Sequence, residues 1–168
     1  SMWYGQITFR SAYPDEVRSA LLMTSALQAG EQAGDWHTIF ETINFFVGEC
    51  DDITPIDYTK SLAGVYGDEL GVLAAVTDQA RFAQALAVIQ ELPPPAINSI
   101  PIYEERLQPD RDKAITGFRF LGQRFTIDAS IFQRLMDRET KNRMLPNALD
   151  VPAAFGSDEA YSILKSDY

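Results

Sequence analysis

Proline, glycine and short polar residues punctuate this chain into helices, and that punctuation limits its fold more than any composition figure does. Thr54-Pro55-Ile56-Asp57 is a strong helix start, because a threonine hydroxyl caps free amides while proline suits the first helical position. Tyr58, Leu62, Val65 and Tyr66 follow at helical spacing, and Gly67 is placed to end the helix. Pro14-Asp15-Glu16 opens an earlier helix, with Val17, Ala20, Leu21, Thr24 and Leu27 in one apolar stripe up to Gly30. Asp35 is expected to cap a second one, ahead of Trp36, Ile39, Phe40, Ile43, Phe46 and Val47, whose aromatic face is expected in a core. Thr77 is expected to cap a fourth, through Phe82, Leu86 and Ile89, which Pro93-Pro94-Pro95 terminates.

Beyond the prolines the periodicity fades. Residues 96–127 read as a long irregular segment, in which the partial alternation from Phe118 to Ile127 allows one short strand weakened by Gly122. A fifth helix is expected from Asp128 through Phe132 and Leu135 to Met136, and a last one from the cap Ser157, with Asp158 and Glu159 in its first turn. The expected fold is therefore all-α: an irregular bundle of about five or six amphipathic helices forming a single helical domain over 1–168. A chain of 168 residues is long enough to bury roughly two thirds of its unfolded surface.

The C-terminal third carries Gly117-Phe118-Arg119-Phe120-Leu121-Gly122-Gln123-Arg124-Phe125, then Ile131-Phe132-Gln133, then Leu149-Asp150-Val151 and Gly156-Ser157. This series resembles a bacterial family catalogued as domain of unknown function 3160. Phe45 to Pro55 and Glu91 to Ser99 are further matching segments in the same order. The resemblance implies no reaction. Members of that family are longer and often exported, so it implies a fragment of a larger protein in the cell envelope or outside the cell. The opening Ser1-Met2, which runs straight into an aromatic stretch, fits an excised piece.

Charge narrows the partners. A net charge of -10 disfavours nucleic acid and anionic bilayers, which reward clustered Lys and Arg. No window approaches the ~18 apolar residues of a membrane span, so no direct membrane insertion is expected. Cys50, the single cysteine, reads as a small buried hydrophobe. His37, the single histidine, cannot build a multi-histidine zinc site. The phosphate-binding and catalytic motifs with fixed spacing are missing from the sequence. No cofactor and no metal is expected.

Two clusters remain. Glu49, Asp51, Asp52 and Asp57 gather in one loop, and between Glu41 and Glu69 the only basic residue is Lys60. Helix capping is the leading reading of these acids, with calcium binding or paired-carboxylate catalysis as alternatives. Arg119, Arg124, Arg134, Arg138, Lys141 and Arg143 supply the opposite sign. Arg119 and Arg124 are expected to pair with the acidic loop across the fold, and Arg119, Gln123 and Arg124 are the alternative ligand contacts. The ligand-binding candidates are thus Glu49, Asp51, Asp52, Arg119, Gln123 and Arg124. Trp3, Tyr4, Ile7 and Phe9 are expected to form an exposed apolar patch or a dimer contact. The leading function is a structural or binding segment that packs with the remainder of its parent protein. The alternative is a fragment of a carbohydrate-active enzyme that uses paired carboxylates. Whether the chain is an enzyme stays open.

Overall fold

The computed structural model describes residues 5–72, 77–97, 115–135, 143 and 145–167. They cluster into two compact units, Ser1–Arg124 and Phe125–Tyr168, each described by itself.

In the first unit four helices follow the expected punctuation: α1 (Pro14–Ala29), α2 (Ala33–Val47), α3 (Pro55–Tyr66) and α4 (Gln79–Gln90). The start of α3 is a complete capping box. The Thr54 amide donates to Asp57 Oδ2 at 2.8 Å and the Asp57 amide donates to Thr54 Oγ1 at 3.4 Å, so two orphan amides are satisfied reciprocally. Gly67 ends α3 at φ 53° and leads into a 3-10 turn, Gly67–Gly71. Two helix starts differ from expectation. The α2 helix begins two residues early, at Ala33, so Asp35 lies in its first turn, where the helix dipole favours an acid as well as at the cap. Asp78 rather than Thr77 caps α4, its Oδ1 accepting from the Ala80 and Arg81 amides at 2.9 and 3.1 Å.

The core of this unit lies where α1, α3 and α4 meet, around Leu21, Tyr58, Leu62, Ala85 and Ile89. Phe118 completes it from outside the helices, its ring 5.0 Å from that of Tyr58 and fully buried. Each such apolar side chain removed from water contributes about 1.5–3 kcal/mol. Phe118 belongs to β2 (Gly117–Phe118), which pairs antiparallel with β1 (Phe9–Arg10). The segment expected to be irregular is thus partly strand. Its stretch 98–114 lies outside the described residues, while 117–124 carries β2, a turn at Phe120 and Leu121, and the bridge at Arg124, and is bonded to two other segments. Phe9, expected on an exposed patch, is half-buried with its ring edge-on to Phe118 at 6.1 Å. Ile7 is also half-buried, and Trp3 and Tyr4 lie outside the described residues.

The second unit holds α5 (Ile127–Arg134), α6 (Asp150–Ala154) and α7 (Asp158–Asp167), with α6 packed against both of the others. The short α6 has no counterpart in the expected series. It is organised by Asp150, which accepts from the Asn147 amide at 2.7 Å and from Arg143 Nη2 at 2.5 Å. Gly156 follows at φ 94°, and the Ser157 hydroxyl accepts from the Ala160 amide at 3.3 Å as the expected cap of α7. Seven helices and one two-stranded pairing among the described residues make the fold mostly α, as the sequence implied. None of these helices is long and apolar enough to cross a membrane.

Candidate functional site

Three segments meet at the candidate residues: 5–10, 50–54 and 117–124. Backbone bonds fix their register. The Arg119 amide donates to Ile53 O at 2.8 Å, and the Asp51 amide donates to Gln123 O at 2.9 Å. Isolated bridges join Cys50 to Arg124 and Ile53 to Phe118.

Glycines permit this close approach. A Cβ on Gly117 would lie 2.3 Å from Phe9 O, and one on Gly122 would lie 2.3 Å from Cys50 Sγ and 3.1 Å from Asp52 Cβ. Gly122 was expected to weaken a strand. It is instead the position where a second segment passes too near for any side chain.

The acidic loop and the arginines meet here, in part as expected. Asp52 Oδ2 accepts from the Gln123 amide at 2.7 Å and lies 3.5 Å from Arg119 Nε. Arg119 also donates from Nε to Thr8 Oγ1 at 2.7 Å and from Nη1 to Gly5 O at 3.0 Å, which ties the first segment to the same guanidinium. Burial raises the Asp52 carboxyl above its usual range despite Arg119 and the Gln123 amide. Burial likewise lowers the Arg119 guanidinium against the attraction of Asp52. Both shifts have the same meaning: removing two charges from water outweighs their mutual attraction.

Arg124 departs from expectation. It makes no carboxylate pair among the described residues. Its Nη1 donates to Gly122 O at 2.7 Å and Leu121 O at 3.3 Å, and its guanidinium lies 4.8 Å from the centre of the Phe40 ring. Phe40 stacks on Trp36 at 4.8 Å, and Trp36 Nε1 donates to Phe120 O at 3.0 Å. The inner face of α2 therefore holds the 117–124 segment from outside. Sequence periodicity placed the aromatic face of α2 in a core, which holds for Trp36 and Phe40 but not for Ile39, Phe46 and Val47, which are exposed; nothing in it signalled that Trp36 and Phe40 would grip this segment.

The remaining acids have separate tasks. Asp51 Oδ2 accepts from the Ile97 amide at 2.7 Å, Asp57 serves the capping box, and Glu49 is exposed. The Asp51 and Asp57 carboxylates thus serve different backbone groups. No cluster of three or more His, Cys, Asp or Glu side chains among the described residues could hold a metal ion. Cys50 is largely buried, and that burial pushes its thiol up to about 11, far from the range of a reactive thiolate. His37 is exposed, and with Leu27, Trp36, Ile56 and Lys60 it lines a groove of about 440 Å³ on α1, α2 and α3.

What the first unit defines is a helical domain whose most distinctive sequence segment, Gly117 to Arg124, is a buried clamp. The chain belongs to the family of proteins of unknown function 3160 (DUF3160), whose family model matches residues 1–168. No curated protein and no solved structure matches it significantly.

Proposed function

We propose that this chain is a packing and binding segment of a larger bacterial envelope or secreted protein, and that it works through the outward face of α2. The observation that carries this reading is the exposure of Phe45 and Phe46, at 83 and 78 %, beside exposed Ile39 and Val47. Large apolar side chains exposed together at one end of a helix mark a surface that another surface covers. The residues with the strongest chemical promise are meanwhile occupied. Asp51, Asp52, Arg119 and Arg124 all bond backbone groups within their own unit.

The partner in this reading is the remainder of the parent polypeptide, and nucleic acid is not one. A dimer through Ile7 and Phe9 gains little support, since both side chains are half-buried. A sugar-cleaving carboxylate pair requires two carboxyl groups roughly 5–9.5 Å apart across an open cleft. Asp52 is buried beside Arg119 and Asp51 is bonded to Ile97, which weighs against that use.

A photo-cross-linking phenylalanine analogue at position 46 of the full-length protein, irradiated in cells, tests the reading. Cross-links to the same polypeptide outside this chain, and none from a control analogue at exposed Gln84 on α4, are expected. Equal yields from both positions would refute it.

A further inference from the structure

The chemistry of α2 specifies the kind of segment that covers it. Asp35, Ile39, Thr42 and Phe46 fall at i, i+4, i+7 and i+11, one row along the helix. Phe45 stands beside that row, its ring edge-on to Phe46 at 5.1 Å. Glu41 sits one turn before Phe45, and Glu49 follows the end of the helix; both are exposed. Between Arg18 and Lys60 the chain has no Lys or Arg, while Glu31, Asp35, Glu41 and Glu49 fall within or beside α2. The acids around the apolar face thus meet no Lys or Arg from α2 itself, and Lys60 and Arg124 approach the helix on its other sides, at His37 and Phe40.

Resting on the docking reading above, we propose that this face binds a cationic amphipathic helix, with apolar residues facing Ile39, Phe45 and Phe46 and Lys or Arg facing Glu41 and Glu49. An apolar face that meets another while opposite charges meet at the edge is the arrangement by which helices pair selectively. A second copy of this chain is a poor occupant, because it would bring an acidic surround against an acidic surround in a molecule of net charge -10. An anionic membrane fails for the same reason.

The test uses the whole 168-residue chain and a fluorescent synthetic helix of Leu and Lys, compared with the same helix carrying Glu in place of Lys. The Leu–Lys peptide binds, the Leu–Glu peptide does not, and Phe45→Ser with Phe46→Ser weakens binding about tenfold, as for loss of central aromatic anchors. Glu41→Gln with Glu49→Gln weakens it by a comparable factor and flattens its salt dependence. All four positions are exposed, and circular dichroism checks that each variant folds. Four outcomes would overturn the proposal: equal binding of both peptides, binding indifferent to the Phe substitutions, self-association abolished by those substitutions, or adsorption to neutral phosphatidylcholine vesicles in place of the peptide. Cross-links from position 46 without peptide binding would reject the cationic partner alone; loss of both would reject the docking reading with it.

Discussion

Arg119 Nε lies 3.5 Å from Asp52 Oδ2, with the two side chains 0 and 1 % exposed. Burial moves both groups toward their neutral forms, so the pair is not retained because it is worth more than an apolar contact. Its contribution is positional. One guanidinium reaches Thr8, Gly5 and Asp52, and one carboxylate reaches Arg119 and Gln123. Three segments remote in sequence are thereby held in one register beneath Phe118.

The contact between Gly122 and Cys50 gives a substitution with a built-in rescue. A Cβ at position 122 would overlap Cys50 Sγ, so Gly122→Ala is expected to cost about 1–3 kcal/mol, the usual range for overpacking. Cys50→Ala removes the sulfur, and the double variant is expected to recover most of that loss in urea denaturation. Gly117→Ala meets the backbone of Phe9 and Arg10, and no side-chain truncation is expected to rescue it.

Two carboxylates give stability opposite dependences on pH. The raised Asp52 has a cost that is absent below its ordinary value of 3.8 and grows as pH rises through its higher folded value. Glu16 is lowered, first by its hydrogen bond with Arg10. It contributes stability above its ordinary 4.5 that is lost as pH falls through its depressed folded value. Thermal melts between pH 7 and 3 are expected to show wild type gaining on Asp52→Asn as pH falls, and losing ground to Glu16→Gln.

Cys50 is expected to react slowly with a thiol reagent at pH 8, because burial holds its thiol near 11. Unfolding in guanidinium should raise the rate to that of a free cysteine. Native-state labelling at the free rate would show the clamp to be open in solution.

Much of the fold could be read from the sequence because local chemistry determines it. Pro14, the Thr54 to Asp57 box, Gly30 and Gly67 act within a turn of where they stand, and Ser157 caps α7 in the same way. Thr77 and Asp78 are adjacent capping residues, and the choice between them depends on which side chain reaches two free amides. The pairing of Arg119 with the acidic loop could be anticipated from charge alone. The rest of the site could not, since its partners act over long separations through backbone atoms that carry no residue-type signal. Gly5 O, Leu121 O and Gly122 O are acceptors that any residue would provide. The two-residue β1 is too short to show alternation. Asp150 stood in a recognisable motif, but the short helix it organises carried no signal, because its partners, Arg143 and Asn147, precede it in a stretch without periodicity.

The most direct test of the clamp is urea denaturation at pH 7 of wild type, Asp52→Asn, Arg119→Met and the double variant. Removing Arg119 leaves a buried carboxylate without its cation, so Arg119→Met is expected to lose about 3–5 kcal/mol. Adding Asp52→Asn should return most of that loss, and Asp52→Asn alone, which leaves the buried Arg119 without its anion, should cost more than the double variant. Additive losses, or an Arg119→Met variant within about 0.5 kcal/mol of wild type as for an ordinary surface substitution, would contradict the clamp and return Asp52 and Arg119 to candidacy as a ligand site.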